Sequence, residues 1–418
     1  MASWKVRGGR QLIGRVRISG SKNAALAVLA ASVLATGPVV LENIPRVQDV
    51  EVTLNILHSL GVGGHWEEAG LLRLEVPEKI AGSIPFAEAR RIRASSLLLG
   101  ALLAKKGEAH IPLPGGCNIG LRPLDLHLKG LAAMGAAARI AGGQVLASGH
   151  DLHPAKIYLD FPSVGATENL VLAACRVPGQ TIIENAAKEP EIVDLASFLN
   201  AMGAHVRGAG TDVIRVEGGF ELGPARHTVI PDRIEAGTYM LAAVITRGRV
   251  TVENVIPLHL QPVTAKIQEL GARVEEAGET LTITGPERVR AVNVKTMPYP
   301  GFPTDLQSPM LAVLALAAGT GVVVETVFEN RYQVAEELQR MGAQIKIEGQ
   351  TAVVIGQPKL WGAEVRVPEL RGGAALLLAA LAAEGESRLT GVEGINRGYE
   401  DCLAKMQALG AEIVSEVS

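Results

Sequence analysis

The chain of 418 residues is 48% hydrophobic and 20% charged, a balance that is typical of globular proteins and argues against a disordered chain. A net charge of −3 and an aromatic content of 3% provide neither the positive charge nor the stacking surfaces that nucleic-acid binding needs. The three cysteines lie far apart, which argues against a disulfide framework or a thiolate zinc site and favours a reducing cytosol. At roughly 150 residues per domain, the length predicts two or three domains.

The sequence predicts neither a secretory leader nor a membrane anchor. Residues 1–7 lack the apolar core of a signal peptide. The long apolar segments, such as residues 373–383, are too short to cross a bilayer. We therefore expect a soluble, cytoplasmic protein that binds neither nucleic acid nor membrane, and the sequence leaves its oligomeric state open.

A tripeptide of Leu or Met, then Gly, then Ala or Val recurs six times along the chain, at intervals of 74, 68, 68, 71 and 68 residues. Each copy ends a helical pattern and precedes an alternating stretch that is typical of a strand. Glycine tolerates the positive φ that follows many helices, so we predict a helix end at each copy. The six glycines are Gly61, Gly135, Gly203, Gly271, Gly342 and Gly410.

A second repeated element, a helix rich in Ala and Leu, lies about 25 residues before each tripeptide, as in residues 24–36 and 374–385. These helices are apolar nearly all round, which predicts burial on every side rather than an amphipathic position at the surface. A β-branched strand follows each of them. The repeat is therefore predicted to be a β-α-β-α-β-β unit of the α/β class, with its inner helix enclosed.

The six repeats are predicted to form two pseudo-threefold domains. Repeats 1–3 occupy residues 21–229, and repeats 4–6 occupy residues 230–418 together with residues 1–20. The strand predicted from Trp4 to Ile18 precedes the first repeat and is expected to pair with the C-terminal domain. A linear array of repeats remains the alternative, although units with one buried helix close more naturally into globules.

Several apolar helices begin with charged or polar residues. A helix N-terminus carries about half a positive charge and free N–H groups, so a cation placed there opposes the helix dipole. Lys22, Arg93 and Arg371 occupy such positions and suggest recognition of a strongly anionic ligand. The alternative is that the cations are solvated and that nearby hydroxyl residues are ordinary caps. Those residues are Ser95, Thr167 and Thr304.

Two further segments carry candidate catalytic groups. Cys117 lies in a glycine-rich loop just before an arginine, a setting that favours a lowered thiol pKa and a reactive or proton-donating cysteine. Cys175 and Cys402 lie in apolar helices and are expected to be inert. Asp305 follows a Pro/Gly turn that is suited to holding a general base against a substrate hydroxyl, although it could equally be a helix cap.

Nine segments carry a resemblance to a known family. They are residues 19–25, 93–95, 113–123, 163–168, 183–194, 230–238, 300–307, 325–331 and 397–400. In order and spacing they resemble the UDP-N-acetylglucosamine 1-carboxyvinyltransferases, a family of enolpyruvyl transferases, across essentially the whole chain. The resemblance implies two inside-out, barrel-like α/β domains joined by a double crossover, with the active site in the cleft between them.

The resemblance also implies an activity and a set of site residues. The family transfers the enolpyruvyl group of phosphoenolpyruvate to the 3-hydroxyl of UDP-N-acetylglucosamine, releases phosphate, begins peptidoglycan precursor synthesis and is sensitive to fosfomycin. No metal or organic cofactor is implied. The catalytic residues would be Cys117 as general acid, Asp305 as base, Lys22 and Arg397. Phosphoenolpyruvate would contact Lys22, Arg122, Arg371 and Arg397, and the UDP-sugar would contact Asn23, Arg93, Arg122, Pro123, Leu124, Asp125, Leu126, Ser163, Val164, Gly165, Asp305 and Val327.

The chain departs from the family pattern at several positions, although each of the implied catalytic groups is present. Glu369 stands where the family commonly has Asp, and its longer side chain could shift Arg371. The other departures are Ser21, Gln333, Val334, Gly394 and Asn396. They leave open enolpyruvyl transfer to another acceptor, such as shikimate 3-phosphate or a different nucleotide sugar. A non-catalytic UDP-sugar sensor is the alternative from another functional class.

Overall fold

A computed structural model describes residues 2–84, 92, 94–113 and 124–417. These residues divide into two compact units, each of which has its own hydrophobic core. The repeat 1–3 unit comprises the described residues between 20 and 230. The repeat 4–6 unit comprises residues 2–19 and 231–417. The chain therefore passes from one unit to the other after Ser19 and again after Ile230.

The N-terminal segment forms two strands, β1 (Ala2–Arg7) and β2 (Ile13–Arg17), whereas the sequence predicted one strand from Trp4 to Ile18. The single-strand prediction is wrong because Gly8 and Gly9 interrupt the segment. Gly9 has a φ of +89°, and Gly8 donates its N–H to the carbonyl of Gly385 at 3.1 Å. The chain therefore leaves β1 before it enters β2.

The elements of the repeat 1–3 unit follow in chain order. They are α1 (Lys22–Ser32), β3 (Gly37–Glu42), α2 (Gln48–Ser59), β4 (Gly63–Glu68), β5 (Leu71–Val76), a 3₁₀ turn (Ala94–Leu97), α3 (Leu98–Lys106), β6 (Glu108–Pro112), α4 (Asp125–Ala133), β7 (Ala137–Ala141), β8 (Gln144–Ser148), β9 (Lys156–Tyr158), α5 (Val164–Ala174), β10 (Gly179–Glu184), α6 (Pro190–Ala201), β11 (His205–Arg207), β12 (Val213–Gly218) and β13 (Ala225–Thr228).

The repeat 4–6 unit continues in the same style. Its elements are α7 (Arg233–Ile245), β14 (Arg249–Glu253), a 3₁₀ turn (Pro257–Leu260), α8 (Gln261–Glu269), β15 (Arg273–Ala277), β16 (Thr280–Thr284), β17 (Val294–Lys295), a 3₁₀ turn (Thr304–Leu306), α9 (Gln307–Leu314), β18 (Thr320–Val324), α10 (Val334–Arg340), β19 (Gln344–Glu348), β20 (Thr351–Ile355), β21 (Glu364–Arg366), α11 (Leu370–Ala382), β22 (Glu386–Thr390), a 3₁₀ turn (Val392–Arg397), α12 (Cys402–Ala408) and β23 (Glu412–Val417).

Five of the six sheets in the described ranges share one strand order. The first strand pairs in parallel with the second, the second pairs antiparallel with the third, and the third pairs antiparallel with the fourth. Their orders are β13-β3-β5-β4, β9-β10-β12-β11, β2-β14-β16-β15, β17-β18-β20-β19 and β21-β22-β1-β23. The sheet of repeat 2 has the order β6-β8-β7. An isolated parallel bridge between Ser83 and His110 stands there in place of the first strand.

Three of these strands come from outside the repeat whose sheet they complete. β13 follows repeat 3 but pairs with β3 of repeat 1. β2 pairs with β14, and β1 lies between β22 and β23. The expected pairing of the N-terminal segment with the C-terminal repeats is therefore confirmed, and each unit closes with strands borrowed from a distant part of the chain.

The six tripeptide glycines all have the backbone conformation predicted for them. Their φ angles lie between +91° and +104°, and each follows a helix and precedes a strand. Side chains other than glycine adopt this region at a cost, which explains why the same residue recurs at the same point of every repeat.

The inner helices α1, α3, α5, α7, α9 and α11 are enclosed as predicted. Nearly every residue of α7 and α11 is buried, and α9 is buried throughout. Within the repeat 4–6 unit these three helices pack against one another, and in the repeat 1–3 unit α3 packs against α1 and α5. The α/β class and the buried-helix repeat are therefore confirmed.

Within the described ranges, no helix combines the length and apolar character needed to traverse a lipid bilayer.

The close contact between α3 and α5 predicts the effect of one substitution. A Cβ at Gly100 would lie 2.1 Å from the carbonyl oxygen of Asn169, and the Gly100 N–H already donates to Asn169 Oδ1 at 2.7 Å. Gly100→Ala should therefore lower the free energy of unfolding by about 1–3 kcal/mol. Helix propensity alone predicts that the same change raises the free energy of unfolding by about 1 kcal/mol. The direction of the measured change therefore shows which of the two effects is larger.

Denaturant unfolding of the variant and the wild-type protein measures this difference. Gly223→Ala is the matched control, because no described atom lies within 4 Å of a Cβ built at Gly223 and its φ is not in the left-handed region. A Gly100→Ala protein as stable as the control would show that the two helices separate at little cost.

Candidate functional site

Four inner helices begin at side-chain caps that the sequence did not single out as such. Ser21 Oγ accepts the N–H of Ala24 at the start of α1, and Ser163 Oγ accepts the N–H of Ala166 at the start of α5. Asp232 and Glu369 cap α7 and α11 with their carboxylates. Ser21, one of the departures from the family pattern, therefore has a structural role in this chain.

The hydroxyl residues suggested as caps have other partners. Thr167 is buried, and its hydroxyl accepts the N–H of Ala187. Ser95 donates its hydroxyl to the carbonyl of Ile92. Thr304 contacts two charged side chains described below. The capping alternative is wrong for these three positions.

Lys22 is the first residue of α1, and its side chain is only 12% exposed. Its Nζ lies 3.2 Å from Oδ2 of Asp49, which belongs to the first turn of α2. A solvated cation is therefore not the correct description of Lys22. The neighbouring Asn23 is half-buried at the same helix end.

The segments expected to contact the UDP-sugar occupy the N-terminal ends of two packed helices. Leu124 directly precedes α4, and Asp125 and Leu126 form its first residues. Ser163 caps α5, of which Val164 and Gly165 are the first residues.

One buried contact holds these two helix ends together. A Cβ at Gly165 would lie 3.1 Å from the His127 ring, so glycine allows α4 to approach α5 closely. Asn169 Nδ2 lies 2.9 Å from Nδ1 of the same ring. In this way the structure brings residues 124–126 and 163–165, which belong to the predicted UDP-sugar site, to one end of a pair of packed helices.

Asp305 lies between two buried arginines in the repeat 4–6 unit. Its Oδ1 accepts a hydrogen bond from Arg331 Nη2 at 2.7 Å, and its Oδ2 accepts one from Arg371 Nη2 at 2.9 Å. The arginine side chains are 2% and 3% exposed, whereas that of Asp305 is 24% exposed. The carboxylate is thus oriented from the protein side and still accessible from outside.

Thr304 and Glu325 extend this network away from Asp305. The Thr304 hydroxyl accepts from Arg331 Nη1 at 2.8 Å and donates to Glu325 Oε2 at 2.8 Å. Glu325 is fully buried, and its other oxygen accepts the N–H groups of Val327 and Phe328. Val327, a predicted UDP-sugar contact, is therefore held by the same carboxylate as Thr304.

Arg371 lies in the first turn of α11 and is buried rather than solvated. Burial opposes its charge, but attraction to Asp305, and after it to Tyr399 and Asp232, raises the pKa of its guanidinium above the ordinary value. The guanidinium also lies over the Tyr399 ring, 5.2 Å from its centroid. Within the described part of the protein, Nη1 of Arg371 is buried and has no hydrogen-bond partner.

Glu369 does not displace Arg371 from Asp305. Its carboxylate accepts the backbone N–H of Arg371 at 2.7 Å and also that of Gly372. The longer side chain is thus used to cap the helix, and the arginine still reaches Asp305. The concern that Glu369 would shift Arg371 away from its partner is not supported by this geometry.

The remaining predicted residues are placed in part. Arg397 is half-buried at the end of the 3₁₀ turn that precedes Tyr399. Arg93, Cys117, Arg122 and Pro123 lie outside the described residues. Cys175 and Cys402 are buried, as expected for inert thiols, and burial raises the pKa of each to about 12.

Sequence reasoning gave no role to Asp49, Glu325 or Arg331. Arg331 and Glu325 lie within a motif that carried the family resemblance, but no periodicity or helix-end rule points to them. Asp49 lies in the first turn of an ordinary amphipathic helix, where an acidic residue is common. For Glu325 the sequence offered one signal, a charged residue directly after the apolar run 322–324, which indicates pairing.

Comparison with known proteins identifies the class of this protein. The profile of the family EPSP synthase (3-phosphoshikimate 1-carboxyvinyltransferase) matches residues 6–406. The enolpyruvyl transferase NikO from Streptomyces tendae has the same fold, with a TM-score of 0.90, 26% identity and coverage of 100% of this chain and 99% of that one. EPSP synthase from Acinetobacter baumannii, at 18% identity and a TM-score of 0.77 over the full length of both chains, shares the fold. The chain belongs to the EPSP synthase family of enolpyruvyl transferases.

The relatives at higher identity point to one branch of this family. UDP-N-acetylglucosamine 1-carboxyvinyltransferase 1 from Symbiobacterium thermophilum is 52% identical over 98% of this chain and 94% of its own length. The protein of the same name from Caldanaerobacter subterraneus is 51% identical over 96% of both chains. The predicted resemblance to the UDP-N-acetylglucosamine 1-carboxyvinyltransferases is therefore confirmed.

The cap of α11 gives a testable prediction. Glu369→Ala removes the acceptor of two backbone N–H groups and should lower the free energy of unfolding by about 1 kcal/mol. Glu369→Asp, which restores the residue common in the family, should retain most of the wild-type stability. Denaturant midpoints of the three proteins check this. Equal midpoints for Glu369→Ala and the wild type would show that the carboxylate contributes nothing as a cap.

Proposed function

We propose that this protein transfers the enolpyruvyl group of phosphoenolpyruvate to the 3-hydroxyl of UDP-N-acetylglucosamine and releases phosphate. The observation that carries this proposal is the identity of about one half, over nearly the whole chain, to enzymes named for that acceptor. The arrangement around Asp305 supports it, because two buried arginines hold the carboxylate in one direction while it stays partly exposed, so a substrate hydroxyl can come within hydrogen-bond reach.

The proposed reaction assigns a direction to each proton. In the first step the 3-hydroxyl oxygen of the sugar bonds to C2 of phosphoenolpyruvate, and Asp305 takes the hydroxyl proton. Cys117 gives a proton to the methylene carbon C3. In the second step C3 loses a proton to the Cys117 thiolate, which restores the vinyl group and the thiol. The phosphate leaves C2 with the electron pair of the C2–O bond and takes the proton held by Asp305. Protons and electrons balance without a cofactor or metal ion.

We assign the binding residues on the family resemblance. Phosphoenolpyruvate, which carries a carboxylate and a phosphate, would be held by Lys22, Arg122, Arg371 and Arg397. Nη1 of Arg371 has no hydrogen-bond partner among the residues that the structure describes, which supports this assignment. The UDP-sugar would contact Asn23, Arg93, the 122–126 segment, the 163–165 segment, Asp305 and Val327. The helix N-termini at Asp125 and Val164 offer backbone N–H groups of the kind that bind diphosphates.

The proposed product places the protein in cell-wall synthesis. Enolpyruvyl UDP-N-acetylglucosamine is a precursor of peptidoglycan, so loss of the activity should affect cell shape and division. The nucleotide-sugar substrate is a cytoplasmic metabolite, and we propose that the protein acts in the cytoplasm.

A phosphate-release assay tests the function directly. Purified protein is supplied with phosphoenolpyruvate and either UDP-N-acetylglucosamine, another UDP-sugar or shikimate 3-phosphate. We expect turnover with UDP-N-acetylglucosamine and none with shikimate 3-phosphate. Turnover with another UDP-sugar or with shikimate 3-phosphate, and none with UDP-N-acetylglucosamine, would show that the proposed acceptor is wrong. Binding of the UDP-sugar without any phosphate release would support the sensor alternative.

Asp305→Asn tests the proposed base. The amide preserves the shape of the side chain but cannot take the hydroxyl proton, so kcat should fall by about 10²–10⁴-fold. Asp212→Asn, a change of the same type at an exposed aspartate of the repeat 1–3 unit, is the control. Near-normal turnover by a folded Asp305→Asn protein would assign Asp305 a structural role.

The three cysteines should differ in their reaction with fosfomycin, a phosphonate epoxide that resembles the anionic donor. Cys175 and Cys402 are buried with raised pKa values, so peptide mapping should find the label on Cys117. Cys117→Asp retains an acid and should remain active without being alkylated, whereas Cys117→Ser should lose most turnover. Label on another cysteine, with Cys117 unmodified, would refute the assignment.

A further inference from the structure

We propose that Thr304 and Glu325 are positioning residues that orient the base Asp305 through Arg331. This inference rests on the proposed function, because it takes Asp305 as the group that receives the acceptor proton. Neither Thr304 nor Glu325 is expected to contact a substrate atom. Their role is to fix the guanidinium that fixes the carboxylate.

The hydroxyl of Thr304 fixes the direction of the hydrogen bonds in this network. A hydroxyl has one proton, and that of Thr304 is donated to Glu325 Oε2 at 2.8 Å. Its lone pairs are therefore available to Arg331 Nη1, which lies 2.8 Å away. Because the guanidinium is planar, fixing Nη1 also fixes the direction of Nη2, which donates to Asp305 Oδ1 at 2.7 Å.

Burial explains why this chain of contacts should be rigid. The Glu325 carboxylate is fully buried and the Arg331 side chain is 2% exposed, so water cannot replace a lost partner. Leaving a buried charged group without its partner carries a large desolvation cost. The negative charges of Glu325 and Asp305 balance the positive charges of Arg331 and Arg371, and the uncharged Thr304 joins Glu325 to Arg331.

Glu325 also links the base to the acceptor-binding backbone. Its Oε1 accepts the N–H groups of Val327 at 2.8 Å and Phe328 at 3.2 Å, while its Oε2 holds Thr304. One carboxylate thus sets both the position of Asp305 and that of Val327, the proposed UDP-sugar contact. Glu325 therefore connects the segment of the proposed base to the segment of the proposed acceptor contact.

Thr304→Val tests the inference with little change in shape. Valine keeps the β-branched volume but removes the hydroxyl, so Arg331 loses an acceptor and Glu325 loses a donor. A misplacement of catalytic groups by 1 Å can cost about 100-fold in rate. We therefore expect kcat to fall by about 10–100-fold while the KM for phosphoenolpyruvate changes little. Thr304→Ser, which keeps the hydroxyl, should recover most of the wild-type kcat.

A double-mutant cycle separates positioning from general destabilisation. If Thr304 acts only through Asp305, then adding Thr304→Val to the Asp305→Asn protein should cause no further loss of kcat. Multiplicative losses in the double variant would overturn the inference. Thr304→Ala serves as a second variant in the same cycle if Thr304→Val does not fold.

Thr282→Val is the matched control for loss of a threonine hydroxyl bond. The Thr282 hydroxyl lies 2.9 Å from that of Thr251 in the sheet of repeat 4, and the control should keep the wild-type kcat. A normal kcat in Thr304→Val alongside a slow Asp305→Asn protein would refute the positioning role and leave the proposed function intact. A normal kcat in Asp305→Asn would instead refute the base that both proposals share.

Discussion

The bridge from Asp305 to two buried guanidiniums is the interaction on which the candidate site depends. Arg331 and Arg371 are nearly inaccessible to water, and each donates to a different oxygen of the same carboxylate. A carboxylate fixed in this way presents a defined face to whatever occupies the solvent side. If either guanidinium were displaced, a buried charge would be left without its partner. The loss in free energy of unfolding would be far larger than for a surface ion pair.

The repeats explain how three residues so far apart in sequence come together. Asp305 lies in the 3₁₀ turn before α9, Arg331 follows β18, and Arg371 lies in the first turn of α11. α9 and α11 are the inner helices of consecutive repeats and pack directly against each other. Because these helices are apolar along their lengths, charged groups can be placed only at their ends. The buried-helix architecture therefore concentrates the chemistry at helix N-termini.

The periodic features of this protein could be predicted from its sequence. A glycine with positive φ after each outer helix and an apolar inner helix in each repeat are local properties, and both predictions are confirmed. Lys22 and Arg371 were recognisable because cations at the heads of apolar helices oppose the helix dipole, and Asp305 was recognisable because it follows a Pro/Gly turn. The departure at Ser21 became understandable only in the structure, where its side chain caps α1.

Other features depend on contacts between distant residues and could not be predicted. The partners of Asp305 lie 26 and 66 residues away, and Glu325 lies 21 residues from Thr304. Thr304 itself fits the composition of a helix cap, so local rules favoured the wrong role. The division between β1 and β2 falls at Gly8 and Gly9, but the partners of each strand lie near the other end of the chain for β1 and after residue 230 for β2.

A crystal structure of the protein with UDP-N-acetylglucosamine bound would test the central claim most directly. The quantity to measure is the distance between the sugar 3-hydroxyl oxygen and the nearer carboxylate oxygen of Asp305. Our account predicts a hydrogen bond of about 2.6–3.2 Å, with Arg331 still donating to the same carboxylate. A bound sugar whose 3-hydroxyl contacts a different residue, with Asp305 beyond hydrogen-bond reach, would contradict it.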